Sequence, residues 1–418
     1  MYFDSGHATA QDEPASYWQT TAPSIKLTGD LPRVADVVVI GGGLLGTATA
    51  YWLARMGAAP VLLERTALAH GATGRNGGFV TVGTAEGYAA AKNRLGPEVA
   101  QAVWQLTLQN RALLRQVIAE EAFQCDYREP GHLSLILNPE QYSHLEESAA
   151  LLQADGFVVQ LLNRVEVQEL IQTPIGSTIH GALFYPETGL VHSARLVQEL
   201  ARAAECYGAQ LYTAEVQQLE AVRGSIRIHT AQTPIEAATV IVAANAWTSK
   251  LLPTLTDIIK PVRGQVLAYA PRSCVFSTSM SAALTPTGEY WQQTPDGTII
   301  LGGCRAAAPG YDVGVDVNRP TSSVQTALEQ VLPQLFPQIS RLSVSQRWAG
   351  LMAFTPDYLP IVDQVRTVPG AWVVGGFSGH GMPFGMALGH ALASAALNNH
   401  MSPALHPFRL DRPTLLQP

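Results

Sequence analysis

Charged residues are scarce in this sequence, and neither sign is clustered. Only 14% of the 418 residues are Asp, Glu, Lys or Arg, whereas 47% are hydrophobic. This composition excludes a disordered chain and is typical of a globule with two or more domains' worth of core. The net charge of −7, without any Lys/Arg cluster, argues against nucleic acid as a partner.

Cysteines and long apolar segments are also few. The four cysteines (Cys125, Cys206, Cys274 and Cys304) lie far apart and form no Cys-x-x-Cys pair, so we expect neither a disulfide framework nor a metal site. No apolar run approaches the roughly 18 residues that a membrane span requires, and the polar segment 1–35 lacks a secretory-signal pattern. The sequence therefore predicts a cytoplasmic protein with no transmembrane segment.

A glycine-rich turn is the most informative feature that is present. Residues 36–46 read Asp-Val-Val-Val-Ile-Gly-Gly-Gly-Leu-Leu-Gly, and a helix-patterned segment follows over 47–56. Gly41 permits the tight turn, Gly43 lets the backbone approach a pyrophosphate, and Gly46 lets the helix pack closely on the strand. The helix N-terminus then presents free N–H groups to phosphate oxygens. This order of elements predicts a dinucleotide site.

Further segments extend the site beyond what NAD requires. Glu64 ends the next apolar strand, where its carboxylate can accept the hydroxyl groups of an adenosine ribose. The glycine-rich loop 70–78 follows at once, and a later strand, 240–244, ends in small residues. A second strand-to-helix junction at 375–381 offers another helix N-terminus to negative charge. A long ligand that contacts all of these and gains negative charge on reduction fits FAD.

Hydrophobic periodicity predicts the other elements. We expect helices over 97–122, 139–154, 193–207, 320–336 and 382–397, and strands over 133–137, 262–269, 289–293, 298–302 and 371–374. Ser193 is the expected N-cap of its helix, and Gly208 lies just past the end of that helix. Because the two glycine-rich junctions lie so far apart in the chain, the nucleotide domain is predicted to be discontinuous.

The motifs, in their order along the chain, resemble those of the D-amino-acid-oxidase-like FAD-dependent oxidoreductases. This family includes glycine oxidase, sarcosine oxidase and gamma-glutamylputrescine oxidoreductase. The resemblance rests on 36–46, Gly71-Ala-Thr-Gly-Arg-Asn-Gly-Gly78, Pro261-Val-Arg-Gly-Gln265, Arg347-Trp-Ala-Gly-Leu351, Thr355-Pro-Asp-Tyr-Leu-Pro360 and Gly376-Phe-Ser-Gly-His-Gly381. These motifs span nearly the whole chain. The loop at 74–78 and the entry Ser16-Tyr-Trp18 look most like the gamma-glutamylputrescine branch.

The resemblance implies an α/β fold with a Rossmann-type FAD-binding domain and a second, substrate domain built on a mixed, largely antiparallel sheet. We place the domain boundaries as follows: an N-terminal extension, 1–35; a discontinuous FAD-binding domain, 36–96, 190–255 and 340–418; and a substrate domain, 97–189 and 256–339.

The resemblance also implies the reaction. Hydride leaves a C–N bond of an amine for flavin N5, giving an imine that hydrolyses, and O2 or a quinone or other carrier then accepts the electrons. Alternatives are an amino-acid oxidase or dehydrogenase of the glycine, D-amino-acid or sarcosine type, or an FAD-carrying subunit of a hetero-oligomer. Some relatives attach their flavin covalently, through a cysteine just after the segment that here ends at Met352 or through a histidine in the loop that here holds Arg75-Asn76. This sequence has neither residue at those positions, so we expect non-covalent FAD.

Departures from the family pattern bear on the substrate. Met352 and Pro383 stand where relatives place an arginine and a lysine that bind a carboxylate. Because both cations are missing, the sequence favours an amine, or an amino acid held differently, over a simple α-amino acid. Arg305 is the best substitute cation. Ile300 stands at the expected position of an oxygen-activating lysine, which leaves the electron acceptor open.

The predicted site residues fall into two groups. His380, Arg305 and Tyr290 are the candidate catalytic residues. His380 either tunes the charge near the flavin ring, contacts the substrate or only forms a hydrogen bond within its own turn. Tyr290 and Trp291 are adjacent on a strand, so one of them faces the core. The predicted cofactor-binding residues are Gly41, Gly43, Leu44, Leu45, Gly46, Glu64, Arg65, Thr73, Gly74, Arg75, Asn76, Gly77, Gly78, Val216, Ala243, Ala244, Trp247, Trp348, Gly350, Gly376, Ser378, Gly379, His380, Gly381 and Met382.

Overall fold

A computed structural model describes residues 13–27, 29–339 and 341–415. Parts of the predicted N-terminal extension (1–12 and 28) and of the predicted third nucleotide segment (340 and 416–418) lie outside the described residues.

The described residues form ten α-helices and eighteen strands. The helices are α1 (Tyr17–Thr21), α2 (Leu44–Arg55), α3 (Tyr88–Leu95), α4 (Pro97–Glu120), α5 (Pro139–Ala154), α6 (Arg164–Leu170), α7 (Ser193–Cys206), α8 (Thr248–Leu251), α9 (Ser322–Leu335) and α10 (Gly385–Asn398). The strands are β1 (Val34–Ile40), β2 (Val61–Glu64), β3 (Phe79–Val80), β4 (His132–Ile136), β5 (Gln160–Asn163), β6 (Gly181–Tyr185), β7 (Gly189–Leu190), β8 (Gln210–Thr213), β9 (Val216–Val222), β10 (Ser225–Thr230), β11 (Ile235–Val242), β12 (Lys260–Tyr269), β13 (Ser279–Ala282), β14 (Glu289–Gln293), β15 (Ile299–Gly303), β16 (Val344–Phe354), β17 (Ile361–Gln364) and β18 (Ala371–Gly375).

The first sheet has the strand order β17-β18-β11-β1-β2-β8. From β18 to β8 all neighbours are parallel, and β17 is antiparallel to β18. A β9–β10 ribbon pairs with the first half of β11. In the central strand, Val38 and Val39 are fully buried on opposite faces, as a parallel sheet covered on both sides requires. The predicted Rossmann-type fold is confirmed.

The glycine turn works as the sequence indicates. Gly41 has φ +115°, and a Cβ there would lie 2.6 Å from the Ala243 carbonyl oxygen. At Gly46 a Cβ would lie 1.8 Å from the Gly41 carbonyl oxygen. The first turn of α2 therefore packs directly against the strand end, and only glycine allows this approach.

The second sheet has the order β16-β12-β15-β14-β13-β4-β6-β5. All its pairs are antiparallel except β4 with β13, so the predicted mixed, largely antiparallel sheet is confirmed. One face packs through Met280, Trp291 and Leu301 into a core shared with α9, and the opposite face lines a cavity. The strand β16 pairs with β12 along nearly its whole length, although it falls within the predicted nucleotide segment 340–418.

Local elements agree closely with the sequence periodicity, and their ends differ. The helix α5 has the predicted bounds, whereas α2 begins three residues early, at Leu44. The N-cap of α7 is His192, whose ring accepts the Arg195 N–H at 3.3 Å, so the assignment of Ser193 as N-cap was wrong.

The second glycine-rich junction differs more from expectation. The helix α10 begins only at Gly385, and its Met386 and Ala387 N–H groups donate to the Asn110 side-chain oxygen at 2.8 and 3.1 Å. The prediction that this helix offers its N-terminus to a ligand's negative charge is therefore wrong for these two groups. A buried side chain of α4 already satisfies them.

Across the three described ranges, no helix combines the length and the hydropathy that a membrane crossing needs.

The close approach at Gly46 predicts that adding a single methyl group there greatly lowers the stability of the fold. We expect Gly46→Ala to lower the free energy of unfolding by about 3 kcal/mol, because its Cβ would overlap the Gly41 carbonyl. Gly87→Ala is the matched control, since Gly87 has φ −68° and no atom within 4 Å of the added Cβ. Urea titration measures both variants. Equal midpoints for the two would contradict the packing argument.

Candidate active site

A cavity of about 1180 Å³ lies between the two sheets. It begins at the carboxyl ends of β1, β2 and β11 and reaches β4, β13 and β14 of the second sheet. Most predicted site residues line it: Gly41, Gly43, Leu44, Leu45, Glu64, Arg65, Thr73, Arg75, Asn76, Gly77, Val216, Ala243, Ala244, Trp247, Tyr290, Arg305, Gly350, Ser378, Gly379, His380, Gly381 and Met382. The structure thus brings together residues more than three hundred positions apart.

Five predicted cofactor residues do not line the cavity and lie behind its wall. These are Gly46, Gly74, Gly78, Trp348 and Gly376. A Cβ at Gly74 would lie 1.9 Å from the Ala69 carbonyl oxygen, so this glycine closes the loop 70–78 on itself. The fully buried Trp348 donates its indole N–H to the Arg75 carbonyl at 2.9 Å. Their role is support of the wall.

The end of the cavity at β2 is fixed by hydrogen bonds to Glu64. One carboxylate oxygen accepts the Gly42 N–H at 2.7 Å, and the other accepts the Thr66 N–H at 2.9 Å. Beside it, the Arg65 guanidinium lies 4.3 Å from the Trp247 ring. Since each carboxylate oxygen has a second lone pair, Glu64 keeps the capacity to accept ribose hydroxyl groups.

Arg75 is a buried residue that joins several segments of the cavity wall through hydrogen bonds. It is 3% exposed and is therefore not a surface charge. Its guanidinium donates to the carbonyls of His70 (3.0 Å), Pro14 (3.0 Å) and Ala349 (2.9 Å), and lies 3.3 Å from a Glu13 carboxylate oxygen. Burial lowers the pKa of Arg75, and Glu13 opposes that shift. Because these partners take four of the five guanidinium N–H groups, the main effect of Arg75 is to shape the loop.

The segment 13–21 fastens the same loop from outside. The Trp18 indole donates to the Asn76 carbonyl at 2.6 Å, and the Gln19 amide donates to the His70 carbonyl at 3.0 Å. Trp18 is also buried, at 2% exposure. The N-terminal segment is therefore an integral part of the cavity wall through both apolar and polar contacts.

At the far end of the cavity, Tyr290 and Trp291 face opposite sides of β14. Tyr290 lines the cavity and packs edge-on against Phe79 with ring centroids 5.6 Å apart, whereas Trp291 is fully buried in the opposite core. The predicted alternation is confirmed. Burial raises the pKa of Tyr290 to about 12, so its phenol is neutral at physiological pH.

His380 lines the cavity and has one buried ring nitrogen without a hydrogen-bond partner in the described part of the chain. Its Nδ1 is buried and has no hydrogen-bond partner among the described residues, while its backbone N–H donates to the Phe377 carbonyl at 2.8 Å. Burial lowers the pKa of His380 to about 4, so the ring is neutral at pH 7. A neutral ring that lines the cavity can form a hydrogen bond to a bound ligand.

Arg305 lies on the same end of the cavity, in a turn after β15. Its guanidinium donates to the Tyr311 carbonyl at 3.2 Å and lies 5.1 Å from the Phe354 ring. Burial lowers the pKa of Arg305, and no carboxylate of the described residues forms an ion pair with it. Met352 and Pro383 line the cavity, as the departures from the family pattern suggested.

Other positions were misjudged or missed. Ile300 is buried in the core and is absent from the cavity lining, so its identity says nothing about oxygen. His132 and Ser281 line the cavity and were not predicted, because β13 carries no clear alternation. The sequence offered only one sign of this pair: a histidine, His132, at the start of one strand, and two serines, Ser279 and Ser281, spaced two residues apart in another segment.

These features define a class. A Rossmann sheet, a glycine-rich second loop and a cavity that continues under an antiparallel sheet are typical of two-domain flavin-dependent oxidoreductases. The cavity fits FAD: the backbone at Gly41–Gly43 carries no side chains to obstruct a phosphate group, and the orphaned His380 Nδ1 can bond a polar atom of a ligand.

The family follows from the sequence comparison. The family model described as "FAD dependent oxidoreductase" (DAO) matches residues 36–395, and the chain belongs to this family. The resemblance seen in the motifs is confirmed.

Relatives and solved structures agree with this assignment. The probable oxidoreductase OrdL of Rhizobium meliloti (strain 1021) is 26% identical over 91% of this chain and 88% of its own length. Gamma-glutamylputrescine oxidoreductase of Escherichia coli (strain K12) is 26% identical over 83% of this chain and 80% of its own. The crystal structure of glycine oxidase from Geobacillus kaustophilus matches with a TM-score of 0.78 at 22% identity, covering 91% of this chain and 99% of that one.

The position of Arg75 predicts that cofactor retention depends on it. We expect Arg75→Met to weaken FAD binding at least about tenfold, because the loop 70–78 loses its anchor to Pro14 and Ala349. Arg347→Met is the control, since that arginine bonds Gln325 and Glu329 away from the cavity. Absorbance of bound flavin after gel filtration measures both. Full retention in Arg75→Met would contradict the prediction.

Proposed function

We propose that this chain oxidises a primary or secondary amine at the carbon next to nitrogen, with FAD held non-covalently. The carrying observation is that Met352 and Pro383 line the substrate end of the cavity without a charge. A carboxylate clamp for an α-amino acid is therefore absent from both positions at which the family resemblance places it. When bound, FAD would supply the hydride acceptor.

The chain's residues that would hold FAD follow the cavity from end to end. Glu64 and the backbone at Gly41–Gly43 suit the adenosine and pyrophosphate end, the loop 72–77 suits the middle, and Ser378–Met382 with His380 suit the ring end. No cysteine lines the cavity among the described residues, which supports non-covalent binding. Mass spectrometry of acid-precipitated protein tests this, because a covalent flavin stays with the polypeptide.

The walls at the ring end suit a neutral amine. Tyr290 and His380 are both neutral at physiological pH, and Met352 with Phe354 provides an apolar surface for a carbon chain. A site of this kind excludes water and orients the C–H bond, and it adds no strong base. The relative gamma-glutamylputrescine oxidoreductase is named for an amine substrate, which agrees with this proposal.

Arg305 favours a second candidate, an amino-acid oxidase or dehydrogenase. Its guanidinium lines the cavity without a carboxylate partner in the described part of the chain, so it is available to a substrate carboxylate. A third candidate, an FAD-carrying subunit of a hetero-oligomer, is less favoured because the second sheet and its cavity face are complete enough to receive a substrate.

Anaerobic mixing of FAD-loaded protein with amines and amino acids distinguishes these candidates. We expect an amine to bleach the flavin's visible absorbance, and Arg305→Met to change its rate less than about threefold. Reaction of carboxylate-bearing substrates alone, lost in Arg305→Met, would favour the amino-acid enzyme. Copurification of a partner chain without any bleaching would favour the subunit. Readmission of O2 then shows whether oxygen reoxidises the flavin or another acceptor is needed.

The neutral histidines predict a pH profile set by the substrate. Burial lowers the pKa of His132 and of His380 to about 4, so neither ring titrates between pH 6 and 9. The second-order rate constant for flavin reduction should therefore rise with pH and level off near the pKa of the amine itself. Stopped-flow measurements with two amines of different pKa test this. A shared midpoint near pH 6.5 would contradict it.

A further inference from the structure

A buried histidine and two serines form a hydrogen-bonded chain at the substrate end of the cavity. His132 Nδ1 lies 2.9 Å from Ser279 Oγ, and His132 Nε2 lies 2.8 Å from Ser281 Oγ. Ser279 Oγ is also 3.1 Å from the Gly131 carbonyl oxygen. His132 is 8% exposed, and β4 pairs with β13 so that Ser279 stands opposite it.

With a neutral imidazole, only one placement of the hydrogens makes all three of these contacts hydrogen bonds at the same time. The Gly131 carbonyl can only accept, so the single Ser279 hydroxyl hydrogen is donated to it. Ser279 Oγ must then accept from His132, which places the imidazole hydrogen on Nδ1. His132 Nε2 consequently carries a lone pair and accepts the hydroxyl hydrogen of Ser281.

Ser281 is left with lone pairs alone to offer the cavity. Its only hydrogen is committed to His132 Nε2, and its oxygen lies on the cavity face beside Tyr290, its cross-strand partner. Any ligand atom that bonds Ser281 Oγ must therefore be a donor. Two titratable groups lie beside this chain of bonds, and both are neutral at physiological pH: the Tyr290 phenol and the His380 ring.

We propose that Ser281 accepts the N–H of the substrate amine, with His132 as the residue that orients it, so that the site selects primary and secondary amines against tertiary ones. Hydride loss requires the neutral amine, whose nitrogen lone pair assists the departure. A neutral secondary amine still has one N–H to give, and a neutral tertiary amine has none. This inference rests on the proposed function and names the feature by which the same site would discriminate among amines.

The test compares an N–H amine with its N-methylated tertiary counterpart. Anaerobic stopped-flow gives an apparent dissociation constant and a limiting reduction rate for each. We expect Ser281→Ala to lower the rate constant for the N–H amine about tenfold and to leave the tertiary amine unchanged, since one hydrogen bond is lost for the first alone. Ser281→Thr keeps the hydroxyl and should restore the discrimination.

Two further variants show whether His132 orients the Ser281 hydroxyl group or only supports the fold. His132→Phe keeps a ring in place and frees the Ser281 hydrogen, so the discrimination should fall while flavin content is retained. Ser134→Ala removes a hydroxyl from the facing position on β4 and should change both amines by the same factor. Calorimetric binding of the two amines to each variant, with its flavin already reduced under anaerobic conditions, gives a readout independent of turnover.

The outcomes are distinguishable from failure of the proposed function. If no amine reduces the flavin of the wild-type protein, the proposed function is wrong, and this inference fails with it. If amines do react but Ser281→Ala affects the N–H and tertiary substrates equally, only the present inference is overturned. A Ser281→Ala protein without bound flavin would shift the decision to the Ser281→Thr and His132→Phe pair, whose discrimination must differ.

Discussion

One buried guanidinium holds the cavity wall together. Arg75 bonds to backbone carbonyls from the N-terminal segment, from its own loop and from β16 of the second sheet. A buried arginine without these acceptors would cost several kcal/mol, so these segments can be displaced only together. The glycine-rich loop, the helix α1 and the ladder between β12 and β16 are thus parts of one arrangement. The shape of the cavity therefore depends on these segments staying together.

Features that depend on neighbours in sequence are predictable from the amino-acid order alone. The turn at Gly41–Gly46 follows from the steric freedom of glycine, and α5 follows from periodicity and from its start at Pro139. The split between Tyr290 and Trp291 follows from the two-residue repeat of a strand. Each of these is determined within a few residues, so one sequence suffices. The family motifs then supplied the fold and the cofactor class.

Features that depend on pairing between distant segments could not be predicted. The chain of hydrogen bonds through His132 exists only because β4 lies parallel to β13, and nothing in either segment specifies that register. The capping of α10 by Asn110 likewise joins two helices far apart in sequence. The partners of Arg75 could not be named from the sequence, because its acceptors are main-chain carbonyls that any sequence carries. Burial, which decides the charge state of His380, was equally invisible.

The interleaving of the chain through both sheets has a consequence for biosynthesis. The strand β1 leaves the ribosome early, yet β11 and β18, which complete its side of the sheet, follow two hundred residues and more later. Although β2 can pair with one side of β1 early, the other side must wait until more than half of the chain has been made, a topology of high contact order that folds slowly. The cavity, whose lining residues run from Ile40 to Pro383, is consequently complete only when nearly all of the chain has been made.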